Sequence, residues 1–249
     1  MIEHRTDSNR RRARKSFSRV EKGIVIAIVL LLLGAAVLFL WEPVKNRLRE
    51  NETRAIVNKI VTGEQTIVVR SDALAVNGEG YEAFADPEEA FATAASESIL
   101  VPTLEPLPED VVLTAIGTIS IEKVDLYLPL LDGAGVVPLR YGAGRLEGTA
   151  LPGEEGNCVI LGHRMKDFGS LFNRLDEVSI GDVIKISNME NQEMTFLVDE
   201  LYPMLDPGEL GGYISIDSGS GKQITLITCT PTGIGSHRIV IIAHLQEGS

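Results

Sequence analysis

One run and the loop that follows it bring a cysteine, a histidine and an arginine close together in the chain. Thr225-Leu226-Ile227-Thr228-Cys229-Thr230-Pro231 ends a β-branched stretch on a cysteine, and Ser236-His237-Arg238 follows across a glycine-containing loop. A cysteine thiolate is a strong nucleophile when a neighbour takes its proton or stabilises its charge. An arginine stays ionised at any relevant pH and offers five N–H donors. Beside a cysteine, it can stabilise a thiolate and the oxyanion of a tetrahedral intermediate. Elsewhere its ordinary fate is a surface or structural ion pair.

Strand geometry decides where these groups point. With a side-chain period of two, Thr225, Ile227 and Cys229 face one way, and Ile224, Leu226 and Thr228 the other. Pro231 has no N–H to donate and stops the ladder, so Cys229 stands at a strand's end. Gly233 and Gly235 let the chain turn, and Arg238-Ile239-Val240-Ile241-Ile242 reads as the returning strand.

Four histidines are available as the acid/base partner. His4 belongs to the N-terminal tail. His244 lies six residues beyond Arg238, about 20 Å away along a strand. His237 adjoins Arg238 and faces the other way in a continuing strand, unless the loop rotates it. His163 follows the run Cys158 to Leu161 with Gly162 between, at a strand's end just as Cys229 is, and is the best candidate; a plain surface histidine is the alternative. Arg164 rivals Arg238, but strand alternation turns it away from His163.

Composition narrows the setting. Eight of the 23 Lys+Arg lie in the first 22 residues against 3 of the 35 acids; fifteen basic and thirty-two acidic residues remain, a net −17 over the rest. A body this acidic argues against a nucleic-acid partner. Gly23 to Leu40 carries no charge and is closed by Trp41, long enough to cross a bilayer. The basic tail before it predicts residues 1–22 in the cytoplasm and the rest outside, as a single-pass protein. A cleaved signal peptide is the alternative, but the apolar run is long for one and no small-residue cleavage pattern follows in Trp41-Glu42-Pro43. The two cysteines, Cys158 and Cys229, both fall on the outer side, where a bridge between them is the competing fate. Cys158 otherwise reads as a small buried hydrophobe.

In chain order, residues 1–22 read as a basic tail, 23–41 as the membrane helix, and 42–110 as an extracytoplasmic linker and helical region. Val44 to Ile60 carries the helical spacing, imperfectly, and Thr103-Leu104-Glu105-Pro106-Leu107-Pro108 the linker signal. Asp86-Pro87-Glu88-Glu89 reads as a helix start. From Val111 to Ser249 the texture is short strands: 115–121, 126–130, 158–161, 183–186, 195–198 and the two around Cys229, with one short helix at Ser170–Leu175. This predicts a β-barrel or sandwich. No phosphate-binding glycine loop, metal-ligand spacing or cofactor motif is visible.

With Thr-Leu-Ile-Thr-Cys at Thr225–Cys229, Gly162-His163 upstream and Arg238 downstream, the sequence resembles the sortases, membrane-anchored cysteine transpeptidases of Gram-positive bacteria. The resemblance covers roughly residues 111–245. Its finer context, Cys229-Thr230-Pro231 with Gly162-His163-Arg164, looks most like the class C, pilin-polymerising branch. The resemblance implies an all-β fold, an eight-stranded barrel with short helices preceded by one transmembrane helix. It also implies cleavage of an Leu-Pro-x-Thr-Gly-like sorting signal on secreted proteins, and transfer to an amine from a pilin lysine or a peptidoglycan cross-bridge. By the same resemblance Cys229 is the nucleophile, His163 the acid/base and Arg238 the substrate and oxyanion stabiliser, while Thr228 contributes hydroxyl contacts to substrate.

Two features depart from class C. Many of its members carry a second, C-terminal membrane helix, and no such stretch occurs here. Their lid holds an Asp-Pro-aromatic motif, whereas Asp86-Pro87 is followed by Glu88. Asp86 remains a possible lid residue by resemblance alone. Class D or class B-like wall anchoring stays open, as does a membrane-tethered cysteine protease that uses water as acceptor.

Overall fold

The computed structural model describes residues 19–70, 110–164, 171–215 and 221–246, so Asp86 lies outside the described residues. The chain divides into two compact units, residues 1–47 and 48–249. Helix α1 (Arg19–Val61) has residues in both; in the first unit it exposes one apolar side chain after another, from Ile24 through Leu40 to Trp41. α1 is the one helix among the described residues that is long and apolar enough to cross a membrane.

In the second unit nine strands are described: β1 (Thr66–Arg70), β2 (Asp110–Ile121), β3 (Leu126–Asp132), β4 (Ala143–Arg145), β5 (Gly156–Leu161), β6 (Val183–Asn188), β7 (Glu193–Leu205), β8 (Lys222–Thr230) and β9 (His237–Leu245). They follow the order β1-β2-β3-β4-β5-β8-β9-β7-β6, and β2 also pairs with β6. That last pairing closes β2 to β9 into an eight-stranded barrel, which leaves these strands no free sheet edge. β1 adds to the early part of β2, with Val68 opposite Val112. Gly117 marks the irregularity where β2 passes from β1 to β6. Its φ of +152° suits glycine, and a Cβ there would strike the backbone of Ser187, so only glycine lets β6 approach.

Most connections are antiparallel, but β5 and β8 run parallel. Their side chains alternate cleanly. Cys158, Ile160, Ile224 and Leu226 enter the barrel core with Phe172 and Phe196. Val159, Leu161, Ile227, Val240 and Ile242 face out, under a second apolar layer containing Leu139, Leu205 and Leu210. A third cluster joins Ile56 and Ile60 of α1 to Ile67, Leu113, Leu131 and Tyr141. The end of α1 and β1 therefore pack on the barrel, inside the region where the sequence suggested helix and linker.

Four elements differ from the sequence reading. β1 and β4 are too short to show periodicity, and helix α2 (Val136–Tyr141) spans barely two turns. The helix expected at Ser170–Leu175 is not formed in its described part. Leu171 adopts φ +49°, and the Phe172 N–H bonds the His163 carbonyl; among the described residues there, the helical turn is 3₁₀, Leu175–Glu177. The apolar spacing reflects a loop that drops Phe172 and Leu175 into the core.

Candidate active site

Three neighbouring strands carry the candidate residues. β5 and β8 pair in parallel with Leu161 opposite Ile227, and the Gly162 N–H continues the ladder to the Ile227 carbonyl at 3.1 Å. Extending that register by two residues along both chains brings His163 level with Cys229, just past the carboxyl end of β5 and near that of β8, with neighbouring strands about 4.8 Å apart. On the other side of β8 the ladder is antiparallel and sets Cys229 directly opposite Arg238. Directly opposite residues share a face, with Cβ atoms about 5 Å apart. By alternation His163, Cys229 and Arg238 extend the outward rows of Leu161, Ile227 and Val240, so the trio borders the outer apolar layer.

Each residue is held differently. Cys229 is 5% exposed and Arg238 9%. Arg238 Nη1 donates to the carbonyls of Gly235 at 2.6 Å and His237 at 3.0 Å, which folds the β8–β9 loop around the guanidinium. His163 is half-buried. The Gly162 before it touches the ring of Phe172 so closely that a Cβ would overlap it. Glycine is thus required at this point for contact, with no φ argument.

Thr228 faces inward, fully buried, and its hydroxyl donates 2.7 Å to the Gly162 carbonyl. That hydroxyl is engaged in tying β8 to the turn carrying His163, which differs from the substrate contact the resemblance suggested. Arg164 also faces away from the trio, as alternation required. It donates to Thr230 Oγ1 at 2.9 Å and to the Asn173 carbonyl, and it pairs with Asp176 at 2.7 Å. His237 bonds its neighbour Ser236. His244 pairs with Asp199 at 2.6 Å, well along β9 from the site.

Burial sets the electrostatics. It pushes the Cys229 thiol above its ordinary pKa, and the Arg238 charge pulls it part of the way back. Burial lowers the His163 imidazole to about 4. At neutral pH the resting pair is therefore thiol and neutral imidazole. Both cysteines are free, so the bridge that the sequence left open is not formed. Cys158, sealed in the core, is pushed up to about 12 and is no competing nucleophile. A half-buried base beside a buried thiol, with a guanidinium across the strand, suits acyl transfer through a thioester. Asp176, which braces this site through Arg164, gave no local signal in the sequence, and Phe172 read there only as an apolar residue of the expected helix.

Such an arrangement on a closed β-barrel suits cysteine-dependent acyl transfer, and comparison with known proteins gives the family. The sortase domain family matches residues 119–246. The sortase A of Listeria monocytogenes is 27% identical over 89% of this chain and 90% of its own. The sortase A of Streptococcus agalactiae is 29% identical over 54% of each chain. Among solved structures, sortase C1 of Streptococcus suis superposes with a TM-score of 0.49 at 30% identity, covering 54% of this chain and 74% of that one. The chain belongs to the sortase family, and is a cysteine transpeptidase by that membership.

Proposed function

We propose that this sortase is anchored in the membrane by α1 and uses Cys229, His163 and Arg238 to cleave an Leu-Pro-x-Thr-Gly-like signal and pass the acyl group to an amine. One observation supports the reading: Cys229 on β8 pairs opposite Arg238 on β9, and the β5–β8 register, extended two residues past its last pair, runs to His163 and Cys229. The boundaries we assign are a cytoplasmic tail at 1–22, a membrane span at 23–41 and an extracytoplasmic body beyond, with residues 111–249 forming the catalytic barrel. The basic tail supports that orientation.

Reaction begins when Cys229 gives its proton to His163. The thiolate adds to the scissile Thr carbonyl, and the oxyanion that forms draws on the Arg238 guanidinium. The bond to Gly breaks as His163 returns the proton to the leaving nitrogen. A thioester to Cys229 remains. The acceptor amine attacks it, His163 takes the amine's proton, and the restored amide departs from a thiolate that is then reprotonated. Because the ion pair is the minor form at rest, substrate binding must favour it by excluding water and supplying charge. Thr228 positions the His163 turn in this scheme.

The acceptor is a pilin lysine or a peptidoglycan amine, and the acceptor defines the subclass. The test is intact mass on the detergent-solubilised full chain incubated with a signal peptide, then with a lysine-bearing pilin peptide or a triglycine amine. A peptide adduct lost in Cys229→Ala and discharged onto one acceptor is the expected result. An adduct surviving Cys229→Ala would sink the reading, and discharge to water alone would make the protein a protease.

A further inference from the structure

Arg164 and Thr230 immediately follow His163 and Cys229, while Gly162 and Thr228 immediately precede them. Each flanking pair is joined across the β5–β8 seam. Thr228 Oγ1 donates to the Gly162 carbonyl at 2.7 Å, and Arg164 Nη1 donates to Thr230 Oγ1 at 2.9 Å. The candidate base and nucleophile thus sit between two bridges, one on each side along the strands.

The upstream bridge falls where β5 and β8 are still held by their ladder. The downstream one falls beyond it: β5 ends at Leu161 and β8 at Thr230. There, among the described residues, Arg164 supplies a connection. Its side chain, 9% exposed, reaches three places at once: Thr230, the Asn173 carbonyl and the Asp176 carboxylate at 2.7 Å. A planar guanidinium fixes such partners in direction as well as distance, which an ammonium does not. The backbone of Arg164 also bridges Leu171, and the His163 carbonyl accepts from Phe172. The segment after His163 is therefore stitched to the 171–176 loop, and that loop is stitched through Arg164 to the end of β8.

We infer that Arg164 is a positioning residue which, by clamping Thr230, holds His163 level with Cys229 once the strand ladder has ended. The inference rests on the proposed catalytic roles, and it assigns Arg164 no contact with substrate. Its side chain lies on the opposite face from the trio, so it acts through geometry.

Thr230→Val removes the hydroxyl acceptor while keeping shape, Thr230→Ser retains it, and Arg164→Lys keeps charge but loses the fork. Two readouts separate this role from general stability, both on the full chain in detergent. The first is acyl-enzyme formation with the signal peptide. Thr230→Val and Arg164→Lys should slow it about 100-fold, as expected of a base displaced by about 1 Å, with KM nearly unchanged and Thr230→Ser near wild type. The double variant Arg164→Lys/Thr230→Val should be no slower than the worse single, since both break one bridge.

The second readout is the titration of His163 by NMR with labelled histidine, assigned by His163→Gln. It needs no peptide. In the two slow variants the ring should titrate closer to the ordinary 6.5, and in Thr230→Ser it should not move. Wild-type acylation speed in Thr230→Val, additive slowing in the double variant, or slowed acylation with an unmoved titration would each overturn the clamp. If the wild type forms no acyl-enzyme, it is the proposed function that fails; the titration alone then decides, a shift supporting the clamp and an unmoved ring overturning it.

Discussion

Cys229 stands directly opposite Arg238 across the antiparallel β8–β9 pair, and the guanidinium is the influence that lowers the thiol's pKa against the burial that raises it. This gives the arginine a measurable effect before any substrate binds. In Arg238→Gln the thiol loses that opposing charge and its pKa rises further. Alkylation by iodoacetamide at pH 8 should slow by about 3- to 10-fold, since roughly one pKa unit is a tenfold change in thiolate. Acyl transfer should fall further, by about 100-fold or more, because the oxyanion also loses its donor. Unchanged alkylation would show that the charge does not reach the sulfur.

Thiol reactivity in the wild type should keep climbing with pH beyond 9, because the folded Cys229 pKa lies above its ordinary value. Cys158, held at about 12 inside the core, should stay unlabelled until the protein unfolds. Mass spectrometry of the alkylated protein from pH 7 to 10 should show a single modification, at Cys229. Double labelling of folded protein would mean that the core is open.

His163 links stability to acid. Its folded pKa, about 4, lies below the unfolded 6.5, so the unfolded state binds the proton more readily between those values. Stability is full above pH 6.5 and is lost as pH falls towards 4, by at most ~3 kcal/mol. Thermal unfolding across this window should show a slope that His163→Gln removes. A variant that keeps the whole slope would place the acid sensitivity elsewhere.

Gly162→Ala puts a methyl group against the Phe172 ring. Overpacking of this kind costs about 1–3 kcal/mol, and here it displaces the residue next to His163. Both Tm and acyl-enzyme formation should fall, and Phe172→Leu in the same chain should restore part of each by making room. A Gly162→Ala protein with wild-type Tm would mean that the ring moves aside freely.

Ile60 and Ile67 are almost fully buried against Leu113 and Leu131, although both precede the long segment 71–109. Ile60→Ala or Ile67→Ala should destabilise the barrel by about 2–4 kcal/mol, read as a lower denaturant midpoint in urea. A loss below about 0.5 kcal/mol would show that the barrel stands without the preceding helix end and strand.

Some of this was legible locally. A charge-free run of eighteen residues needs no partner to be apolar, and the β-branched stretch before Cys229 carries its own two-residue period, so a long apolar helix and the shared face of Ile227 and Cys229 followed from residue order. The stop at Pro231 came from its missing N–H, and the turn of Arg164 away from His163 from the same alternation. Pairing was not legible, because hydrogen-bond register joins residues 66 positions apart and leaves no trace in either segment. Only the folded barrel made β5 and β8 parallel neighbours and set His163 level with Cys229. It also engaged Thr228 with Gly162, and turned Leu171, Phe172 and Leu175 from an expected helix face into a loop plugging the core. The sequence by itself determined which side chains are candidates for chemistry and which of them share a strand face; tertiary structure decided which strands meet, because proximity between strands is a property of closure and register.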